Sequence, residues 1–242
     1  MQAGRSGPLT IIAATAGAAC AADDGSAGVD AALAADAFVE VWATYVIETG
    51  RHDAEISGGA ADNPLRGFQT VAGRDYRFAF DGSAAYVITA PVEPADQLDW
   101  NKLPGLSDCG TIDLAVDGAM FGWRWRIDVA PPMLEVTAYA NATGVHQTPP
   151  AALFALSAEE LASDAPLRYR VWPDGAVFQF AVTGTVGARA IDVATTLPRA
   201  CPATPALDFK WAAGLYFGGT SVAPSRITGR VSERGFVRRA PP

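Results

Sequence analysis

The sequence predicts an all-β fold, an antiparallel two-sheet β-sandwich with very little helix. Two long segments, 120–126 and 134–141, alternate large apolar with polar or small residues, the signature of half-buried antiparallel strands. Turn signals recur about every eight to twelve residues and separate about ten strand-like runs. Only one short stretch, beginning at Ser157, carries a helix start.

Residues 8–19 form an apolar run after the lone Arg5 and end at Cys20. Segment 1–20 therefore reads as a signal segment, too short to span a membrane. Gly17-Ala18-Ala19-Cys20 partially matches a bacterial lipoprotein cleavage site, with Cys20 as the lipidated residue; plain secretion and an untargeted N-terminus are the alternatives. Residues 21–37, rich in Ala, Asp, Gly and Ser, read as a flexible linker. A single sandwich domain is expected over 38–232, and a frayed tail over 233–242.

Within the domain, 38–48 is rich in Val, Ile, Trp, Tyr and Thr and reads as a strand ended by Gly50. The polar, Gly-rich stretch 51–63 reads as a loop. His52 at its start is either a surface histidine or a ligand-facing one. A short strand follows at 68–71. Tyr76, Phe78 and Phe80 then face one way, and Arg77, Ala79 and Asp81 the other. Asp81-Gly82 marks a turn into a strand at 84–89, stopped by Pro91. Residues 92–100 read as a loop, and 103–117 as a loop with one short strand at 111–116. In the first central strand Phe121, Trp123 and Trp125 share a face opposite Met120, Gly122, Arg124 and Arg126. In the second, Leu134, Val136, Ala138 and Ala140 lie opposite Glu135, Thr137, Tyr139 and Asn141. The Phe/Trp face should pack between the sheets and the Arg/Tyr face should be open to solvent or ligand. Ser157 as N-cap with Glu160 three residues on starts a helix of a turn or two. Pro173-Asp174-Gly175 joins strands 167–172 and 176–182 in a hairpin, with Phe178, Phe180 and Val182 on one face. Further strands are expected at 190–195, at 209–217 (ended by Gly218-Gly219) and at 227–231.

With 242 residues, 50% apolar residues, 24 Gly and 17 Pro, the chain suits one folded domain with many turns. A net charge of −8 argues against a nucleic-acid partner. Lys102 and Lys210 are the only lysines. The three cysteines, an odd count, suggest a pair plus one separate thiol. Export would permit a Cys109–Cys201 disulfide; two unrelated buried thiols are the alternative.

The chain has no Gly-x-Ser-x-Gly, His-Glu-x-x-His, Cys-x-x-Cys or phosphate-binding Gly loop. With His52 and His146 its only histidines, a His-rich metal site is not expected. No cofactor is expected, an Asp-lined structural calcium being left open. What remains is the Arg/Tyr face: Arg124, Arg126, Thr137, Tyr139 and Asn141, joined by Lys102 from the preceding loop. Guanidinium groups bind carboxylates bidentately, so such a face suits an acidic polysaccharide. In an elimination, Lys or Arg would neutralise the uronate and Tyr would move a proton. The alternative is a solvated sheet face, with Arg stems covering apolar surface.

Several blocks carry a resemblance. Ile47-Glu48-x-Gly50-x-His52, Phe80-Asp81-x-Ser83-Ala84-x-Tyr86, Asn101-Lys102-Leu103-x-Gly105-x-Ser107-Asp108-Cys109, Phe121-Gly122-Trp123-Arg124-Trp125 and Tyr216-Phe217-Gly218-Gly219-Thr220-x-x-Ala223-Pro224 occur in this order. Over residues 41–231 the chain resembles a group of secreted bacterial β-sandwich proteins of unsettled activity. That resemblance implies a jelly roll and a Cys109–Cys201 pair. More distantly, Lys102-Leu103-Pro104-Gly105-Leu106 followed by a Trp-Arg strand and a Tyr strand is similar to jelly-roll alginate and glucuronan lyases. Their site is a Lys, a Ser-x-Arg pair and a Tyr-x-Tyr pair. Lys102 and Tyr139 match it and are the implied catalytic residues. The Ser-x-Arg positions fall on Gly118 and Met120, and the second Tyr on Asn141. Residues 110–117 lack the histidines frequent in the bacterial group, and Ser225-Arg226 stand where that group has His-Asp.

The leading expectation is an extracytoplasmic protein, secreted or in the cell envelope, that binds an acidic or neutral polysaccharide. Lys102, Arg124, Arg126, Tyr139, Asn141 and His52 would contact it, and a lipid on Cys20 would be the only membrane contact. A polysaccharide lyase with an altered site and a structural or adhesive envelope protein are the alternatives.

Overall fold

In the computed structural model of this chain the described residues are 40–57, 69–208 and 215–233. Their alternation does build two antiparallel sheets packed face to face. In chain order the strands are β1 (Ala43–Ile47), β2 (Ala54–Ser57), β3 (Gln69–Val71), β4 (Arg74–Phe80), β5 (Asn101–Lys102), β6 (Leu106–Ser107), β7 (Gly118–Arg126), β8 (Met133–Ala142), β9 (Val145–Gln147), β10 (Phe154–Ser157), β11 (Leu167–Asp174), β12 (Val177–Val186), β13 (Arg189–Pro198), β14 (Ala206–Asp208) and β15 (Ile227–Glu233). One sheet runs β13-β12-β11-β4-β15-β1-β2. The other runs β10-β8-β7-β6-β14-β3, with β5 also pairing β7 and β9 also pairing β8.

The inward faces interdigitate as the alternation requires. Phe121 and Trp123 are fully buried, and Trp125 is 6% exposed. Phe121 meets Tyr169 edge-on at 5.1 Å and Phe180 at 5.4 Å, and Phe80 lies 5.4 Å from Trp123. These tilted and perpendicular pairings place ring edges on ring faces, the arrangement the ring quadrupoles favour. Ser157 and Glu160 form a complete capping box for α1 (Ala158–Ala162), the one α-helix among the described residues. The β11–β12 hairpin also forms, turning at Gly175-Ala176.

Three expectations are corrected. Residues 84–89 are not a strand. The Ile88 amide donates to Gln97 Oε1, and Gln97 Nε2 donates to the Tyr86 carbonyl and to the Trp125 carbonyl at 3.1 Å. A side chain thus takes the place of a neighbouring strand. Residues 111–116 are a turn, because Thr111 Oγ1 and Asp113 Oδ1 accept from the amides of Asp113 and Ala115. The expected loop 51–63 contains the edge strand β2, which pairs with β1. Of the strand expected at 209–217, residues 209–214 lie outside the described residues, and Tyr216 makes isolated bridges to Asp53 and Lys102. Lys210, the segments 1–20 and 21–37 with Cys20, and residues 234–242 of the tail lie outside the described residues.

The site is positioned by the way β5 and β6 line one edge of β7. Pro104 has no N–H to continue a ladder, so it splits one pairing segment into two. Leu103 still donates to the Phe121 carbonyl at 2.8 Å. Cys109 and Cys201 are bonded, Cα–Cα 5.2 Å. Beside them Arg199 clamps Asp108 through two 2.8 Å bonds.

Candidate functional site

A groove of about 540 Å³ opens on the outer face of the sheet containing β7 and β8. Its lining comes from seven places in the chain. Lys102 arrives on β5, Met120 on β7, Tyr139 and Asn141 on β8, and His146 on β9. The 112–115 turn makes one wall, and Asp53 and Tyr216 stand at the rim.

Each placement has a local cause. On β7 and β8 Met120 pairs with Tyr139 and Gly118 with Asn141, so alternate residues share the outer face. Thr143 and Gly144, with φ of 54° and 77°, turn the chain back, and Asn141 then pairs with His146. Lys102 and Tyr216 exchange backbone hydrogen bonds of 2.8 and 3.0 Å. Asn101 locks that contact: its buried side chain donates to Tyr86 Oη at 2.9 Å and accepts from the Gly218 amide at 2.8 Å. Only glycine fits at 218, because a Cβ there would lie 2.1 Å from the Trp100 carbonyl oxygen.

The charge in the groove is tightly held. Lys102 Nζ donates to the Trp100 carbonyl at 2.6 Å and sits 5.0 Å from the centre of the Tyr139 ring. Burial pushes its pKa down, and the nearby Asp99 carboxylate partly offsets this. Burial, with Asp99 adding to it, pushes the Tyr139 phenol up. Burial and then Asp53 push Tyr216 up as well. Both tyrosines are therefore neutral, proton-bearing groups at ordinary pH. Each is stacked on one of the chain's two histidines: His146 on Tyr139 at 5.9 Å, His52 on Tyr216 at 5.4 Å, both 14° from parallel. His52 does not line the groove. Its Nδ1 donates to the Phe217 carbonyl at 2.8 Å, which fixes the ring behind Tyr216.

Of the residues singled out in the sequence, Lys102, Tyr139 and Asn141 meet in this groove, whereas Arg124 and Arg126 do not line it. The expected open Arg/Tyr face is partly roofed. Trp100 lies over Gly122 and stacks on the Arg124 guanidinium at 4.0 Å. Arg124 spends Nε and Nη2 on Glu135 and Nη1 on the Leu98 carbonyl. Arg126 spends Nη1 on Glu135, and Nε and Nη2 on Asp128. Both forks are occupied by carboxylates of the chain itself, so neither is open to a uronate without breaking these pairs.

Tyr216, Asp53 and Asp113 were not singled out as ligand-facing in the sequence, and Met120 was placed on the open face without a role. Asn141-Ala142-Thr143-Gly144 was readable as a tight turn, and would have placed His146 beside Asn141. The approach of Tyr216 to Lys102 is a long-range pairing with no local signal. Among the described residues, no group of three or more His, Cys, Asp or Glu side chains is placed to hold a metal ion. Gly118 and Met120, which fall at the Ser-x-Arg positions of the lyases, carry no ionisable group. Comparison with protein-family models and with curated proteins returns no match.

Proposed function

We propose that this chain is an extracytoplasmic glycan-binding protein whose sugar ligand lies in the groove of Lys102, Tyr139, Asn141, His146 and Tyr216. One observation carries the reading: two histidine-backed tyrosines stand on one groove with amide, ammonium and carboxylate groups between them. Sugars offer a flat C–H face for an aromatic ring and hydroxyls for polar groups, so this is the chemistry they require. Tyr216 is 38% exposed, leaving ring surface for a ligand. The Cys109–Cys201 bond supports a location outside the reducing cytoplasm. The test is glycan-array and calorimetric binding with wild type and Tyr216→Ala. Binding that the substitution leaves intact, or no binding at all, would remove the reading.

A second reading, a polysaccharide lyase, is favoured by the meeting of Lys102 and Tyr139 in one groove. In β-elimination His146 would take the C5 proton, the C4–O bond would break as Tyr139 gave its phenolic proton to the leaving oxygen, and Lys102 would stabilise the charge developing on the carboxylate. Unsaturated sugar product, followed by its ultraviolet absorbance, would support this reading; none across a polyuronate panel would count against it.

A further inference from the structure

Resting on the glycan-binding reading, we infer that the ligand is an uncharged glycan rather than a polyuronate or a cationic one. The groove's charges argue this. Among the described residues Lys102 is the only cation lining it, against the carboxylates of Asp53 and Asp113. Counting histidine as neutral, the lining carries one negative charge net, within a chain of net charge −8. Lys102 does not redress this. Its ammonium is held on the Trp100 carbonyl and over the Tyr139 ring, with Asp99 as its nearby counter-charge. A uronate entering here would meet two carboxylates and a committed ammonium. The guanidinium forks that could bind it bidentately are closed by Glu135 and Asp128.

What remains suits hydroxyl-rich, uncharged rings. Asp53 and Asp113 are exposed carboxylates, strong acceptors for sugar O–H groups. Asn141 Nδ2 donates to the Leu114 carbonyl at 2.6 Å, which orients the amide and keeps its oxygen as an acceptor for sugar hydroxyls. Tyr139 and Tyr216 bear phenolic protons, and Tyr216 adds an exposed ring face. An amino sugar would also be attracted by the two carboxylates, but it would stand against the half-buried Lys102 ammonium.

The experiment is calorimetric titration of the full chain with three sets of polymers: uncharged glucans, mannans and galactans; alginate and polygalacturonate; and chitosan. At least one uncharged polymer should bind, with affinity changing less than about twofold between low and high salt, since no ion pair is formed. Asp53→Asn with Asp113→Asn should raise polyuronate binding severalfold by removing the opposing charges. Circular dichroism would confirm that this variant keeps its fold. Tightest binding to a polyuronate, weakening with salt, would overturn the inference while leaving the glycan-binding reading standing. So would tightest binding to chitosan. Binding of no polymer would overturn both.

Discussion

Replacing Arg199 by Met would strand Asp108. Asp108 is the carboxylate next to Cys109, its side chain is 1% exposed, and that of Arg199 is 4% exposed. Both carboxylate oxygens accept from the guanidinium at 2.8 Å. Methionine keeps apolar bulk near Phe178, over which the guanidinium lies at 5.6 Å, but removes both of these donors to the carboxylate. Breaking a buried pair from one side costs about 3–5 kcal/mol. In a domain of this size each kcal/mol moves Tm by about 2–4 °C, giving a fall of about 6–20 °C. Thermal unfolding followed by near-ultraviolet circular dichroism, with the disulfide intact, measures it. Asp108→Ala and the double variant complete a cycle with a coupling of about 2 kcal/mol or more. An Arg199→Met Tm within about 2 °C of wild type, or strict additivity in the cycle, would refute the reasoning. The 112–115 turn that follows Asp108 walls the groove, so the same variant should also weaken ligand binding.

Cys109→Ser with Cys201→Ser should cost about 4–5 kcal/mol in denaturant unfolding, because the bond closes a loop of 92 residues; a loss under about 1 kcal/mol would contradict this. Tyr169→Phe should leave stability unchanged or raise it by about 1 kcal/mol, since the hydroxyl is fully buried without a partner among the described residues; a loss above about 2 kcal/mol would mean that it has one. Asp96→Asn should cost about 3 kcal/mol at neutral pH. Burial works against the Asp96 carboxylate, but hydrogen bonds from Ser221 Oγ, the Glu93 amide, and the Thr220 amide and hydroxyl outweigh it. They hold its carboxyl well below the usual range. A folded value below the unfolded one means that its stabilisation is present above the ordinary aspartate value of 3.8 and is lost as pH falls toward the depressed one. The gap between wild type and Asp96→Asn, read from urea unfolding, should therefore narrow below about pH 4; a gap that widens there would reverse the sign of the argument.

The sandwich was legible wherever a pattern is long enough to have a period. The alternations 120–126 and 134–141 placed Phe121, Trp123 and Val136 in the core, where they are fully buried. Ser157 and Glu160 announced the capping box because that signal is local. The two-residue strands β5 and β6 were not legible, since they are too short to show a period. Residues 84–89 look like a strand, and the Gln97 side chain that satisfies their backbone is invisible to local propensity. The groove was half legible. Lys102, Tyr139 and Asn141 sit on or beside strands whose faces could be read. Alternation also put Arg124 and Arg126 on the outer face, but could not show Trp100 folding over it or Glu135 closing both guanidinium groups. Tyr216 enters through a pairing with Lys102 from the far end of the chain, which only the tertiary fold provides.

The groove reading and the Arg-face reading separate in one measurement: calorimetric affinity of one bound glycan for wild type, Tyr216→Ala and Arg126→Ala. Arg126→Ala leaves Glu135 paired with Arg124 and does not touch the groove. A loss of about tenfold or more for Tyr216→Ala, with Arg126→Ala within about twofold of wild type, is the predicted result. Affinity lost in Arg126→Ala and kept in Tyr216→Ala would place the ligand on the arginine face and contradict the account.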